Sequence, residues 1–239
     1  MLEAFTRVVD RAIQDWAMAN TKEQLFRPLD GVRVVEVTGE MSVLTGRLLA
    51  DLGAEVIRVE APDGDAVRRR PPFAKQGPEL ERSLLHQHHN AGKRSVALAL
   101  ETPEGREQLT ALLGGADLFL LEEPLAAKLG LLDDWYAGLS DDLVRVLIRA
   151  FPADSPRRDA PTSDLVGIAA GGELYLCGFP DRSPLYPGGQ LAYGMVSLVA
   201  AAGAMAGLLQ RSRGGKGREI SLSMQEAVAV ITTETANVN

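Results

Sequence analysis

The sequence predicts an α/β fold, a parallel sheet flanked by helices, from three observations. Apolar runs at residues 32–37 and 56–59 bracket a helical pattern at residues 43–52. Buried parallel strands read as near-continuous Val, Ile and Leu runs, and a helix between two of them makes a right-handed βαβ unit. A second unit follows, with a strand at 95–100, a helix from Thr102 to about Leu113 and a strand at 117–121. Pro103 takes the first helical position and Glu104 favours the positive end of that helix. Further strand-like runs at 143–148 and 220–222 extend the pattern.

The composition agrees with one large globular domain. The chain has 239 residues, 46% of them hydrophobic and 24% charged. A net charge of -7 and a pI near 5.1 argue against a general binder of nucleic acid or anionic membranes. Cys177 is the only cysteine and reads as a small buried apolar residue.

Residues 1–27 form a separate segment. Phe5, Val8, Val9, Ala12, Ile13 and Trp16 recur at helical spacing, which predicts an amphipathic helix, and Thr21 is a candidate N-cap for the next one. The segment is too charged for a signal peptide. No membrane-spanning run is expected, so a cytoplasmic location is the default.

In βαβ units ligands tend to sit beyond the carboxyl end of the first strand, here residues 38–42. That loop has one glycine, Gly39, and lacks the spacing of a dinucleotide fingerprint. Residues 63–77 read as a loop, where Arg68, Arg69 and Arg70 either clamp a phosphate or form surface pairs. His86, His88 and His89 cluster without a carboxylate or cysteine at metal-ligand spacing, so no metal site is expected. Gly92-Lys93-Arg94-Ser95 is a turn and no P-loop. Residues 130–140 fit a short helix and turn, and Asp164 opens a helix. Residues 197–209 fit a buried central helix rich in Ala and Gly. Residues 211–218 fit a basic, hairpin-like turn, and residues 224–235 a final helix.

Five words of the sequence, LDGVRVVEVT, LLADLGAEVIRVEAP, NAGKRSVALAL with ETPEGREQL, GADLFLLEEP and QRSRGGKGREISLSMQEAV, together resemble the family III CoA-transferases. That family contains formyl-CoA, carnitine and bile-acid CoA-transferases and α-methylacyl-CoA racemase. The resemblance implies that residues 28–239 are the Rossmann-like large domain, with the small domain largely absent. Residues 1–27 resemble part of that small domain, which fits a piece of a tandem fusion; a convergent helix covering the sheet edge is the alternative. It also implies a homodimer of interlocked ring-shaped chains, and a nucleophilic aspartate that passes the acyl group through an anhydride and an aspartyl-CoA thioester.

Against the family pattern, several functional positions differ. Counting back from Gln210 and Arg211 places Tyr193 where the transferases carry aspartate, and the racemase Gly-His-Asp is Thr162-Ser163-Asp164. A phenol with a reference pKa near 10 cannot make the acyl anhydride. The CoA-facing positions implied are Glu40, Met41, Ser42, Leu98 and Lys128, the last being the one clear basic match. Glu60-Ala61 stands for Glu-Arg, and Leu98-Ala99-Leu100-Glu101 for Leu-Asp-Leu-Lys. A shortened Glu122-Glu123-Pro124 loop puts acid where a polyphosphate would arrive, and the glycines expected after the fifth strand are gone from residues 150–156.

The resemblance therefore implies a CoA-transferase-like domain that is noncatalytic by itself, the structural or dimerisation partner of an active copy. Its partners would be a second family copy or a homo-oligomer, with CoA or acyl-CoA as a possible ligand and no required cofactor. The alternative is an acyl-CoA:carboxylate CoA-transferase or related enzyme with an altered site, in which Tyr193 acts as general acid and Asp164 is a second catalytic candidate. Exposed apolar surface is expected where the missing domain would pack.

Overall fold

The structure is a computed structural model and describes residues 27–132 and 134–236. The helix and the Thr21 cap expected before Arg27 lie outside the described residues. Six strands form one parallel sheet: β1 (Arg33–Val37), β2 (Glu55–Glu60), β3 (Arg94–Ala97), β4 (Leu118–Glu122), β5 (Val144–Arg149) and β6 (Glu219–Ser223). Their order is β3-β2-β1-β4-β5-β6, with Val35 of β1 aligned to Ile57 on one side and Phe119 on the other. The order reverses between β1 and β4, so the connections leaving those strands diverge and open a crevice at their carboxyl ends.

Alternation along the strands divides the core in two. Val34, Val56, Leu118, Leu120, Val146 and Ile148 face one layer, built from α1 (Leu44–Asp51), α6 (Asp164–Gly171), α8 (Leu191–Ser212) and α9 (Met224–Ala236). Val35, Val37, Val59, Phe119, Leu121 and Leu147 face the other, built from α3 (Pro103–Leu113), α4 (Glu123–Leu129) and the short α5 (Asp134–Ala137). Two more short helices, α2 (Leu84–Asn90) and α7 (Glu173–Leu176), join these layers at their edges.

Several sequence expectations need correction. The strand expected at 95–100 stops at Ala97, because Leu98–Glu101 turn into α3. The turn lies so close to the helix that a Cβ on Gly105 would stand 2.0 Å from the Ala99 carbonyl oxygen. No loop separates Glu122 from Pro124: Glu122 closes β4 and Glu123 starts α4, with proline in its first turn. The basic stretch after α8 is a helix-to-strand connection and forms no hairpin, since β6 pairs parallel with β5. Gly214 turns it at φ +86°, and Arg211 donates to Asp117 at 3.0 Å. Finally, α8 carries no charge from Leu191 to Gln210 and is long and apolar enough, by length and composition, to cross a membrane. In this fold its inner face packs on the sheet; Ala and Gly supply that face with small residues, and Gly207 lies against Val144 and Ile220.

Candidate functional site

The crevice at the carboxyl ends of the strands gathers Glu40, Glu60, Glu122, Asp164, Gln190 and Tyr193. Glu122 sits at the end of β4 and is buried. Its carboxylate accepts hydrogen bonds from the Gly39 N–H at 2.9 Å, the Ser42 N–H at 3.2 Å and the Ser42 hydroxyl at 2.7 Å. Burial pushes its pKa up against these bonds. Two backbone donors of the loop after β1, the N–H groups of Gly39 and Ser42, which could otherwise receive an anionic ligand, are thus taken by a side chain of the protein itself. Glu123 turns the opposite way, pairing with Arg149 at 3.0 Å and Arg158 at 2.9 Å. Both acids expected to face an incoming polyphosphate are therefore engaged internally.

Asp164 is buried at the start of α6, with Ser163 capping that helix. Its carboxylate reaches across to α8, accepting from the Tyr193 backbone N–H at 3.0 Å and from the Tyr186 hydroxyl at 2.7 Å. Tyr193 is the third residue of α8, whose own N-cap residue, Gln190, stands at φ 57° and makes no side-chain cap. Asp164 therefore caps a helix other than its own. Gln190 instead donates to Glu40 at 2.5 Å, and Glu40 also pairs with Arg70 at 3.1 Å.

These contacts set the chemistry of Tyr193. Burial, then the charges of Glu40, Asp164 and Glu122, push its phenol up to about 12. Tyr186 is likewise raised to about 12, first by its hydrogen bond to Asp164. Both phenols stay neutral at physiological pH, and Tyr193 lies in the field of the Glu40, Asp164 and Glu122 carboxyl groups.

Beside this group lies a cavity of about 240 Å³ under the ends of β1, β2 and β3. Val37, Val59, Leu98, Leu100, Leu125 and Leu129 supply apolar walls, and Glu40, Glu60, Asp65 and Glu101 the polar rim; among the described residues no lysine or arginine lines it directly. Apolar walls suit an adenine ring or a pantetheine arm. The arginines nearest the rim, Arg58, Arg68 and Arg70, are already paired with Asp65, Glu60 and Glu40, which leaves little cationic purchase for the phosphates of CoA. Of the CoA-facing positions expected, Glu40 and Leu98 meet in this cavity, while the Met41 and Ser42 side chains are buried, at 3% and 0% exposure. Lys128 stands apart, on a separate cleft with Arg158 and Thr162.

The arginine triplet after β2 is used structurally. Glu60 accepts from Arg68 at 2.6 and 2.8 Å and from Ser95 at 2.6 Å. Although burial alone would raise it, these partners bring Glu60 down to about 2. Arg69 pairs with Asp63. His86 and His89 are buried in α2, and burial, then His88 and Lys93, lowers His89 to about 4. Among the described residues no group of acids, histidines and cysteine is arranged to hold a metal.

Sequence reasoning missed a buried ionic network below the crevice. Arg58 and Lys93 both donate to Glu36, at 2.9 and 2.7 Å, and Arg58 also bonds Thr38 and Asp65. Gly46 of α1 makes room for it, since a Cβ there would stand 1.8 Å from a Glu36 oxygen. The signal was present: a charge inside each of two apolar strands, Glu36 and Arg58, side by side in register. Tyr186 and Gln190, by contrast, lie in an irregular stretch that carries no periodicity to mark them.

Residues 29–238 match the CoA-transferase family III, and the chain belongs to that family. It is 37% identical over 207 residues to the succinyl-CoA:(R)-benzylsuccinate CoA-transferase subunit BbsE of Thauera aromatica, covering 85% of this chain and 50% of that one. It is 33% identical over 213 residues to a succinyl-CoA–D-citramalate CoA-transferase of Chloroflexus aurantiacus, covering 86% and 51%. Among solved structures, a CAIB/BAIF family protein from Brucella suis superposes with a TM-score of 0.79 at 32% identity, over 88% of this chain and 57% of that one. A hypothetical protein of Mycobacterium tuberculosis gives 0.75 at 30%, over 89% and 59%. The chain spans about half the length of the curated relatives it matches.

Proposed function

We propose that this chain is a noncatalytic family III CoA-transferase domain that acts as the structural partner of a second, aspartate-bearing family chain. The observation that carries the reading is Tyr193, a neutral phenol held among carboxylates where the family resemblance places the nucleophilic aspartate. The two loop donors already filled by Glu122, and the engagement of Arg58, Arg68 and Arg70 by the acids at the cavity rim, support it, since both reduce purchase on a CoA phosphate. Leu165, Tyr175, Phe179 and Leu185, in the chain between Asp164 and Tyr186, are large apolar side chains left exposed, which suits coverage by a partner. One relative, moreover, is itself described as a subunit.

Calorimetric titration with CoA and succinyl-CoA, together with a thioester-exchange assay, tests the reading. The chain alone should show no exchange, and Tyr193→Asp alone should not restore it. Exchange by the original chain would overturn the reading in favour of an acyl-CoA enzyme with an altered site, in which Tyr193 donates a proton.

A further inference from the structure

Between α7 and α8 the chain passes through residues 178–190 without helix or strand. Pro180, Pro184 and Pro187 each fix φ, which stiffens the middle of this stretch. Its ends are built in the opposite way. Gly178 stands at φ +117°, and Gly188, Gly189 and Gln190 are three successive left-handed residues at φ 73°, 73° and 57°. Glycine enters that region without penalty, whereas glutamine is strained there and stays only because something holds it.

The stretch is thinly attached. Residues 178–187 are all exposed, and the Leu185 N–H only returns to the Cys177 carbonyl at its own base. Among the described residues, two side-chain hydrogen bonds join it to the rest of the fold: the Tyr186 hydroxyl donates to Asp164 at 2.7 Å, and Gln190 donates to Glu40 at 2.5 Å. Both acceptors are acids whose charges act on the Tyr193 phenol. Asp164 divides its work, since Oδ2 receives Tyr186 while Oδ1 receives the Tyr193 backbone N–H.

We infer that residues 178–190 are a hinged strap, latched across the approach to Tyr193 by Tyr186 on Asp164 and Gln190 on Glu40. A stiff segment with glycine hinges and two bonds to the fold opens locally at much lower cost than the fold as a whole. Opening frees Asp164 Oδ2 and Glu40, while Oδ1 keeps α8 capped, so the strap swings without disturbing the helix it leads into. A group that displaces the latches has to bring donors of its own, as a hydroxyl, amide or ammonium does. A bare anion meets two carboxylates instead. The strap controls access to position 193 whether or not that position is catalytic.

Thiol labelling tests the device in the full-length chain. With Cys177→Ser as background, Tyr193→Cys places the sole thiol at the gated position, and its reaction with neutral iodoacetamide reports strap opening. Tyr186→Phe and Gln190→Ala should each raise the labelling rate about fivefold, the worth of one hydrogen bond, and together by about the product. Urea transitions of each variant check that the fold survives. Rates indifferent to both substitutions, or a starting rate already equal to that of an unstructured cysteine peptide, would overturn the strap. Should the doubled variant lose its urea transition, Gly189→Ala decides alone: alanine disfavours φ 73° and should raise the rate severalfold without touching either latch, and an unchanged rate defeats the inference.

Discussion

The carboxylate of Asp164 accepts the backbone N–H of Tyr193 at 3.0 Å, so the first residue of α6 caps the first turn of α8. Positions 29 residues apart in sequence are thereby fixed against each other, and the Tyr193 phenol is set among Glu40, Asp164 and Glu122. The geometry of the candidate site rests on this one side chain more than on any other.

Asp164→Ala should cost about 1–2 kcal/mol, the usual loss for removing an N-cap, and Asp164→Asn less than half of that because its amide oxygen still accepts. Urea unfolding checks this: the midpoint should fall with an unchanged slope. Tyr186→Phe, which removes only the second bond to Asp164, should cost about 1 kcal/mol.

Glu122→Ala should destabilise by about 3 kcal/mol, because the Gly39 N–H and the Ser42 N–H and hydroxyl are left without their acceptor in a buried place. Glu122→Gln keeps an acceptor oxygen, removes a buried charge and should cost about 1 kcal/mol or less. Thermal melts of the two variants beside the parent discriminate packing from charge.

Gly105→Ala should destabilise by about 3 kcal/mol through a backbone collision, as its Cβ would stand 2.0 Å from the Ala99 carbonyl oxygen. The neighbouring Gly114→Ala, where the nearest atom is 3.3 Å away and φ is -60°, should move the melting temperature by less than half as much.

Acid should destabilise the fold in two overlapping windows. His89 titrates near 4 in the folded chain against an ordinary 6.5, so the unfolded chain binds more protons between those values and stability falls as pH drops from about 6.5 to 4. Glu60, lowered to about 2 from 4.5, contributes stability present above 4.5 and lost as pH falls towards 2. Melting temperature measured against pH should therefore decline below about 6.5, and His89→Gln should make the upper window shallower, leaving the part due to His86, which burial also lowers. A profile unchanged by His89→Gln would contradict the assignment.

Much of the fold was legible because it is written locally. The runs at Val34–Val37 and Leu118–Leu121 identify buried strands by composition alone, and Thr102 with Pro103 marks the start of α3 through the cap and the fixed φ of proline. Boundaries slipped where a tertiary contact decides them, as at Leu98, which leaves the strand because Gly105 of α3 packs on the turn that follows. The acids of the crevice slipped for the same reason. Sequence places Glu122 and Glu123 near an incoming ligand but cannot show that one turns inward to Gly39 and Ser42 while the other turns to Arg149 and Arg158.

The sequence by itself determined the parallel α/β sheet, the family and the tyrosine at residue 193, because strand composition, helix caps and ordered motifs all act between near neighbours. Only the tertiary structure decided what surrounds that tyrosine and which faces stay uncovered. Those depend on side chains brought together from distant positions, as Asp164 is to Tyr193 and Arg58 to Glu36, where the low dielectric of the interior strengthens each interaction.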